Sequence, residues 1–116
     1  MPIKLTARFA LLALLAAALA ACMPEPLRVT MTAHDIMWDV EEIHVRAGQP
    51  IELTLQNHGA LDHALQIRDL GIDVLLSPGD VEIITFTIKL PGVIEFICSI
   101  PGHDEAGMVG YIFVNE

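Results

Sequence analysis

Basic residues are scarce in this chain of 116 residues: six Lys and Arg stand against 15 Asp and Glu, a formal net charge of −9 at pH 7. Nothing here could neutralise a row of phosphates, so nucleic acid is excluded as a partner. There are only two cysteines, Cys22 and Cys98, which excludes a disulfide-dense scaffold. A membrane-spanning helix needs about 20 apolar residues, and the run from Phe9 to Ala21 has 13. Internal repeats are absent. The length excludes multi-domain enzymes and the larger α/β barrels.

What is present begins with an export pattern. Lys4 and Arg8 precede the apolar run, which has the length of a secretory h-region. Residues 1–21 therefore read as a signal. Leu19-Ala20-Ala21-Cys22 resembles the bacterial lipobox, which implies that Cys22 is lipidated and becomes the first residue of the mature chain. Residues 22–27 then form the lipidated Cys and a tether, and 28–116 the domain. The tether reaches no more than about 20 Å when extended, so the domain is expected to ride on the outer side of a bacterial membrane, held by a lipid anchor. With Cys22 acylated, Cys98 has no disulfide partner. A lone thiol in an oxidising compartment calls for burial, a metal or catalysis.

The rest of the chain alternates with period two. Ile43 and Val45, then Ile51, Leu53 and Leu55, then Leu65 and Ile67, then Ile84, Phe86 and Ile88, then Ile94, Phe96 and Cys98 each mark one face of a strand. Val109 to Val114 is apolar on both parities and predicts a central strand. The stretch Gly71 to Leu76 is ambiguous. Turn signals such as Ser77-Pro78-Gly79-Asp80 and Pro91-Gly92 separate the runs. Short strands at this spacing predict an all-β, two-sheet antiparallel sandwich or barrel. Parity directs His63 and Cys98 into the core, each at a strand end beside a loop, so the two can converge at one pole.

The segment from Cys98 to Met108 carries the chemistry. It reads Cys-x4-His-x4-Met, with Cys98, His103 and Met108 on one loop. With His63 added, the set is two His, one Cys and one Met, the donor set of a type 1 blue-copper site. A binuclear copper centre would need a second Cys where Gly102 stands. A multicopper oxidase would need His-x-His pairs and a His-Cys-His, but Cys98 lies between Ile97 and Ser99. A cysteine hydrolase would need an accessible nucleophile, and Cys98 faces the core. His34, His44 and His58 read as surface residues. Trp38 reads as packing under a turn, and Met23, Met31 and Met37 have no spacing of a copper relay.

These residues make the chain similar to the cupredoxins, the small blue-copper proteins. The resemblance runs through Ile43 to Asn57, the loop Asn57-His58-Gly59-Ala60-Leu61-Asp62-His63, the strand from Pro91-Gly92 to Cys98, and the ligand loop to Gly110. It implies a Greek-key sandwich of about eight strands. It also implies one copper ion on His63, Cys98, His103 and Met108, and one-electron transfer rather than catalysis. Ala64 stands where the family often has an Asn that ties the two ligand loops, so that tie is expected to be missing. Ile94 takes a place often held by Tyr. The expected partner is a redox protein such as a c-type cytochrome or a membrane oxidoreductase, with the acidic surface steering the encounter of a monomer. The alternative is copper delivery, storage or scavenging through the same ligands.

Overall fold

The structure, a computed structural model, describes residues 9–15 and 22–116. The expected signal over 1–21 thus lies largely outside the described residues; within it, 9–15 are helical. Among the described residues no helix is long and apolar enough to cross a membrane.

Nine strands follow: β1 (Leu27–His34), β2 (Met37–Trp38), β3 (Glu42–Arg46), β4 (Pro50–Asn57), β5 (His63–Ile67), β6 (Ile72–Leu76), β7 (Val81–Thr87), β8 (Gly92–Cys98) and β9 (Val109–Asn115). They form two sheets, ordered β2-β1-β4-β7 and β3-β9-β8-β5-β6. The sandwich is of the expected class, with two differences of detail. Two pairings, β1 with β4 and β3 with β9, are parallel, which is possible only because neither joins strands linked by a tight hairpin. The ambiguous stretch is strand β6, entered from a single 3-10 turn at Arg68–Leu70 through Gly71 at φ 65°.

Alternation builds the core. Met31 and Ala33 of β1, Ile51, Leu53 and Leu55 of β4, Leu65 and Ile67 of β5, Phe96 and Cys98 of β8, and Ile112 of β9 are all essentially buried. Each large side chain so buried contributes about 1.5–3 kcal/mol. Strand β9 sits between β3 and β8, the interior place its apolar run predicted. Its outward Phe113 is shielded by His44, stacked at 4.9 Å with an interplanar angle of 11°. Gly110 shares the inward face with Ile112 and Val114, where no larger residue fits. A Cβ there would lie 2.6 Å from the Glu41 carbonyl oxygen and run into the Phe96 ring.

Candidate metal centre

Two strand ends bring the site together. His63 opens β5 and Cys98 closes β8, and the antiparallel register pairs Cys98 with Leu65, two residues from His63. Both side chains have zero exposure, as parity predicted. The loop from Ser99 to Met108 closes on itself by backbone bonds: His103 N–H to Ile100 O (3.0 Å), Met108 N–H to His103 O (3.0 Å) and Cys98 N–H to Met108 O (2.9 Å). Gly102 and Gly107 supply its left-handed residues, at φ 87° and 102°, a conformation costly for any side chain. The closure holds His103 and Met108 beside the Cys98 end of β8, both buried.

Three ligand atoms meet there. His63, Cys98 and His103 offer nitrogen or sulfur atoms that all lie within 4.8 Å of one another. Cys98 Sγ stands 3.4 Å from His103 Nδ1 and 3.9 Å from His63 Nδ1. Metal bonds of about 2.0–2.3 Å in a trigonal plane would set such atoms about 3.5–3.8 Å apart, so the spacing fits one ion with both Nδ1 atoms and Sγ as donors. Met108 lies fully buried at the end of the same loop, its carbonyl accepting from Cys98 N–H; thiolate and thioether are donors that favour copper. All four residues singled out in the sequence thus come to one pole of the sandwich.

The tie expected to be missing is made by backbone instead. Ala64 N–H donates to Cys98 Sγ at 3.4 Å, and Ser99 N–H donates to Ala64 O at 2.9 Å. The side chain of residue 64 takes no part in either bond, which is why Ala serves.

Two residues that the sequence did not single out hold the His63 side. Asp35, just past β1, accepts from Ala60 N–H (2.8 Å), Leu61 N–H (3.2 Å) and His63 Nε2 (3.0 Å). These bonds, the one from Ala60 foremost and that from His63 next, hold its carboxyl below the usual carboxylate range, so it is ionised at neutral pH. An ionised carboxylate only accepts, so the imidazole hydrogen sits on Nε2 and the Nδ1 lone pair is free for a metal. Gly59 makes room for this contact. A Cβ there would collide with Asp35 Oδ1 and lie 3.1 Å from His63 Nε2. Asn57, only 1% exposed, donates through Nδ2 to Leu61 O and Leu76 O and accepts from Gly59 N–H through Oδ1, each at 2.9 Å. It knots the loop before His63 to the end of β6. Trp38 closes the back of the site, its ring 6.5 Å from that of His63.

Solvent reaches the pole unequally. His63 has no exposure and His103 retains 8%, so of the two imidazoles only His103 reaches the surface. Pro101 and Gly102 beside it are exposed and Ile100 is half-buried.

Comparison with known proteins agrees with this geometry. The family model for the cupredoxin-like domain matches residues 4–109. The copper-resistant cuproprotein CopI of Rubrivivax gelatinosus is 30% identical over 107 residues, an alignment covering 75% of this chain and 64% of that protein. The chain therefore spans less than two thirds of the length of this curated relative. Among solved structures, dithionite-reduced auracyanin from Roseiflexus castenholzii superposes with a TM-score of 0.68 at 24% identity, covering 77% of this chain and 97% of that one. The Cu(I)-bound metal-binding domain of the Streptococcus pneumoniae Cu(I)-exporting ATPase CopA superposes with a TM-score of 0.68 at 19% identity, covering 78% and 87%. A sandwich of this topology, a buried His-Cys-His cluster at one pole and a family match over nearly all of its length lead to one conclusion: the chain belongs to the cupredoxin-like family of copper-binding proteins.

Proposed function

We propose that this protein is a type 1 blue-copper electron carrier, not an enzyme, with His63, Cys98, His103 and Met108 as its metal ligands. The observation that carries the reading is the buried cluster itself: three donors within 4.8 Å, with 8% exposure at His103 as the one opening among its imidazoles. Copper, when bound, supplies one-electron exchange between Cu(II) and Cu(I). The protein's part is to keep the donor atoms in place and water out. Backbone bonds fix Cys98 from Ala64 of β5 and from Met108 at the end of the ligand loop, and Asp35 fixes the His63 ring. Donors held this firmly change little between redox states, which favours fast transfer. The His103 edge, with Ile100, Pro101 and Gly102 around it, is the contact point for a redox partner such as a c-type cytochrome or a membrane oxidoreductase. The resemblance of Leu19-Ala20-Ala21-Cys22 to a lipobox supports an exported protein tethered to the outer side of a bacterial membrane.

The test is anaerobic mixing of the reduced, copper-loaded protein with a ferric c-type cytochrome, followed by stopped-flow absorbance. Rapid second-order oxidation that slows with added salt supports the carrier reading, since steering between an acidic and a basic surface is screened by salt. Ile100→Glu, beside the His103 edge, is expected to slow the reaction without changing the visible spectrum. Absence of any electron exchange would favour the second reading, copper delivery, storage or scavenging. That reading has a specific observation in its favour, the likeness to a relative described as copper-resistant.

A further inference from the structure

Three side chains of types that can bind copper, outside the buried site, are brought into one row by strand register. The sheet order β2-β1-β4 places three strand ends side by side at the pole that holds the metal cluster. In the antiparallel pair β1–β2, His34 lies opposite Met37 and Ala33 opposite Trp38. In the parallel pair β1–β4 the register ends with Ala33 beside Asn57. His58 N–H then donates to Ala33 O at 2.9 Å, which carries the ladder one residue further and sets His58 beside His34.

Alternation decides which way each residue points. Trp38, Ala33 and Asn57 form the inward row and are buried. Met37, His34 and His58 are their neighbours in the chain and form the outward row, all exposed. Adjacent strands lie about 4.8 Å apart, so the three side chains share one small patch. The two rings already meet, edge to face, with centroids 6.0 Å apart. Imidazoles bound to one ion through nitrogen at about 2.0 Å have centroids about 5–6 Å apart, so closing on an ion needs only side-chain rotation. Met37, opposite His34 in the register, is 49% exposed, a long apolar side chain left in solvent.

We propose that Met37, His34 and His58 form a second, surface copper site that takes Cu(I). Two imidazoles and one thioether are neutral, borderline-to-soft donors, the set that prefers Cu(I) to hard cations. The net charge of −9 raises the local concentration of any cation. The site lies beside the buried centre, for Asp35 follows His34 directly and its carboxylate bonds to His63 Nε2. An ion held there is exchangeable with solvent, which makes the patch a receiving or release point for copper at the surface. This assignment holds whichever reading of the buried centre is right, since it needs neither electron transfer nor a redox partner.

The test uses the full chain in mild detergent, with the buried centre filled by one equivalent of Cu(I). Further Cu(I) is added anaerobically against bicinchoninate, and Ag(I) is added in parallel while methionine methyl and histidine ring-nitrogen resonances are followed. The expected result is a second, weaker equivalent of Cu(I). Ag(I) is expected to shift the Met37 ε-methyl and the His34 and His58 ring nitrogens together. His34→Asn, His58→Asn and Met37→Leu each lose the second equivalent and keep the first. His44→Asn and Met23→Leu, exposed donors elsewhere, keep both. The circular dichroism of each variant matches that of the wild type, which shows that the variants are folded. Uptake of one equivalent only, a second equivalent that survives loss of His34 or His58, or Ag(I) shifts centred on Met23 or His44 would overturn the site. A second equivalent indifferent to Met37→Leu and equally well filled by Zn(II) would overturn its assignment to Cu(I).

Discussion

Asn57 allows the account of the His63 loop to be tested by a matched pair of substitutions. Its amide makes three hydrogen bonds of 2.9 Å from a position 1% exposed, two donated to Leu61 O and Leu76 O and one accepted from Gly59 N–H. Asn57→Ala removes all three, including the one to the carbonyl of the fully buried Leu76. Net bonds of about 1 kcal/mol, with about 1–3 kcal/mol for each buried group left unpaired, predict a loss of about 2–4 kcal/mol. In a domain of this size that lowers Tm by roughly 10–25 °C. Asn57→Asp keeps the shape and the bond from Gly59, but it sets a buried carboxylate oxygen against two carbonyl oxygens. It is therefore predicted to be less stable than Asn57→Ala at neutral pH, although it is the smaller chemical change. Thermal unfolding of the metal-free protein, followed by circular dichroism, measures the difference. A wild-type Tm for Asn57→Asp would refute the argument that the donated bonds hold the loop.

Further predictions concern the same pole. Asp35→Ala leaves His63 Nε2 without its acceptor; loss of such a partner is expected to weaken copper affinity by about 10–100-fold, read by chelator competition. In the metal-free variant, ring-nitrogen NMR of His63 is expected to show the tautomers mixed, where the wild type shows hydrogen on Nε2. Gly59→Ala pushes a methyl against the Asp35 carboxylate and is expected to reproduce the Asp35→Ala affinity. The double variant is expected to be little weaker than either single one, because both act on one contact; additive losses would show that they act separately. Gly110→Ala drives a Cβ into Phe96 and the Glu41 carbonyl and is expected to cost about 1–3 kcal/mol in denaturant unfolding, with the copper spectrum retained.

Much of this was legible in the chain. Period-two runs located β3 to β5, β7 and β8, because in each a β-branched, Leu or Phe residue marks the inward face, and a run apolar on both parities located β9. Strand β1 was harder to read, since its buried end uses Met31 and Ala33, residues with little strand preference. Cys98, His103 and Met108 share one loop, so their spacing was visible, and parity supplied His63. Asp35, Asn57 and the row of Met37, His34 and His58 were not legible. They meet their partners across the β1–β4 register or through loop closure, and no spacing along the chain encodes either. The Ala64 tie was expected to be missing because a side chain was sought where the backbone makes the bond.

The central claim is that His63, Cys98, His103 and Met108 hold one copper ion in a type 1 site. The most direct test is addition of one equivalent of Cu(II) to the metal-free protein, with visible absorption and electron paramagnetic resonance recorded before and after a reductant. The account predicts an intense blue or green thiolate-to-copper band that bleaches and returns with redox cycling, and that is absent in Cys98→Ser. A colourless protein, or the same spectrum in Cys98→Ser, would contradict it.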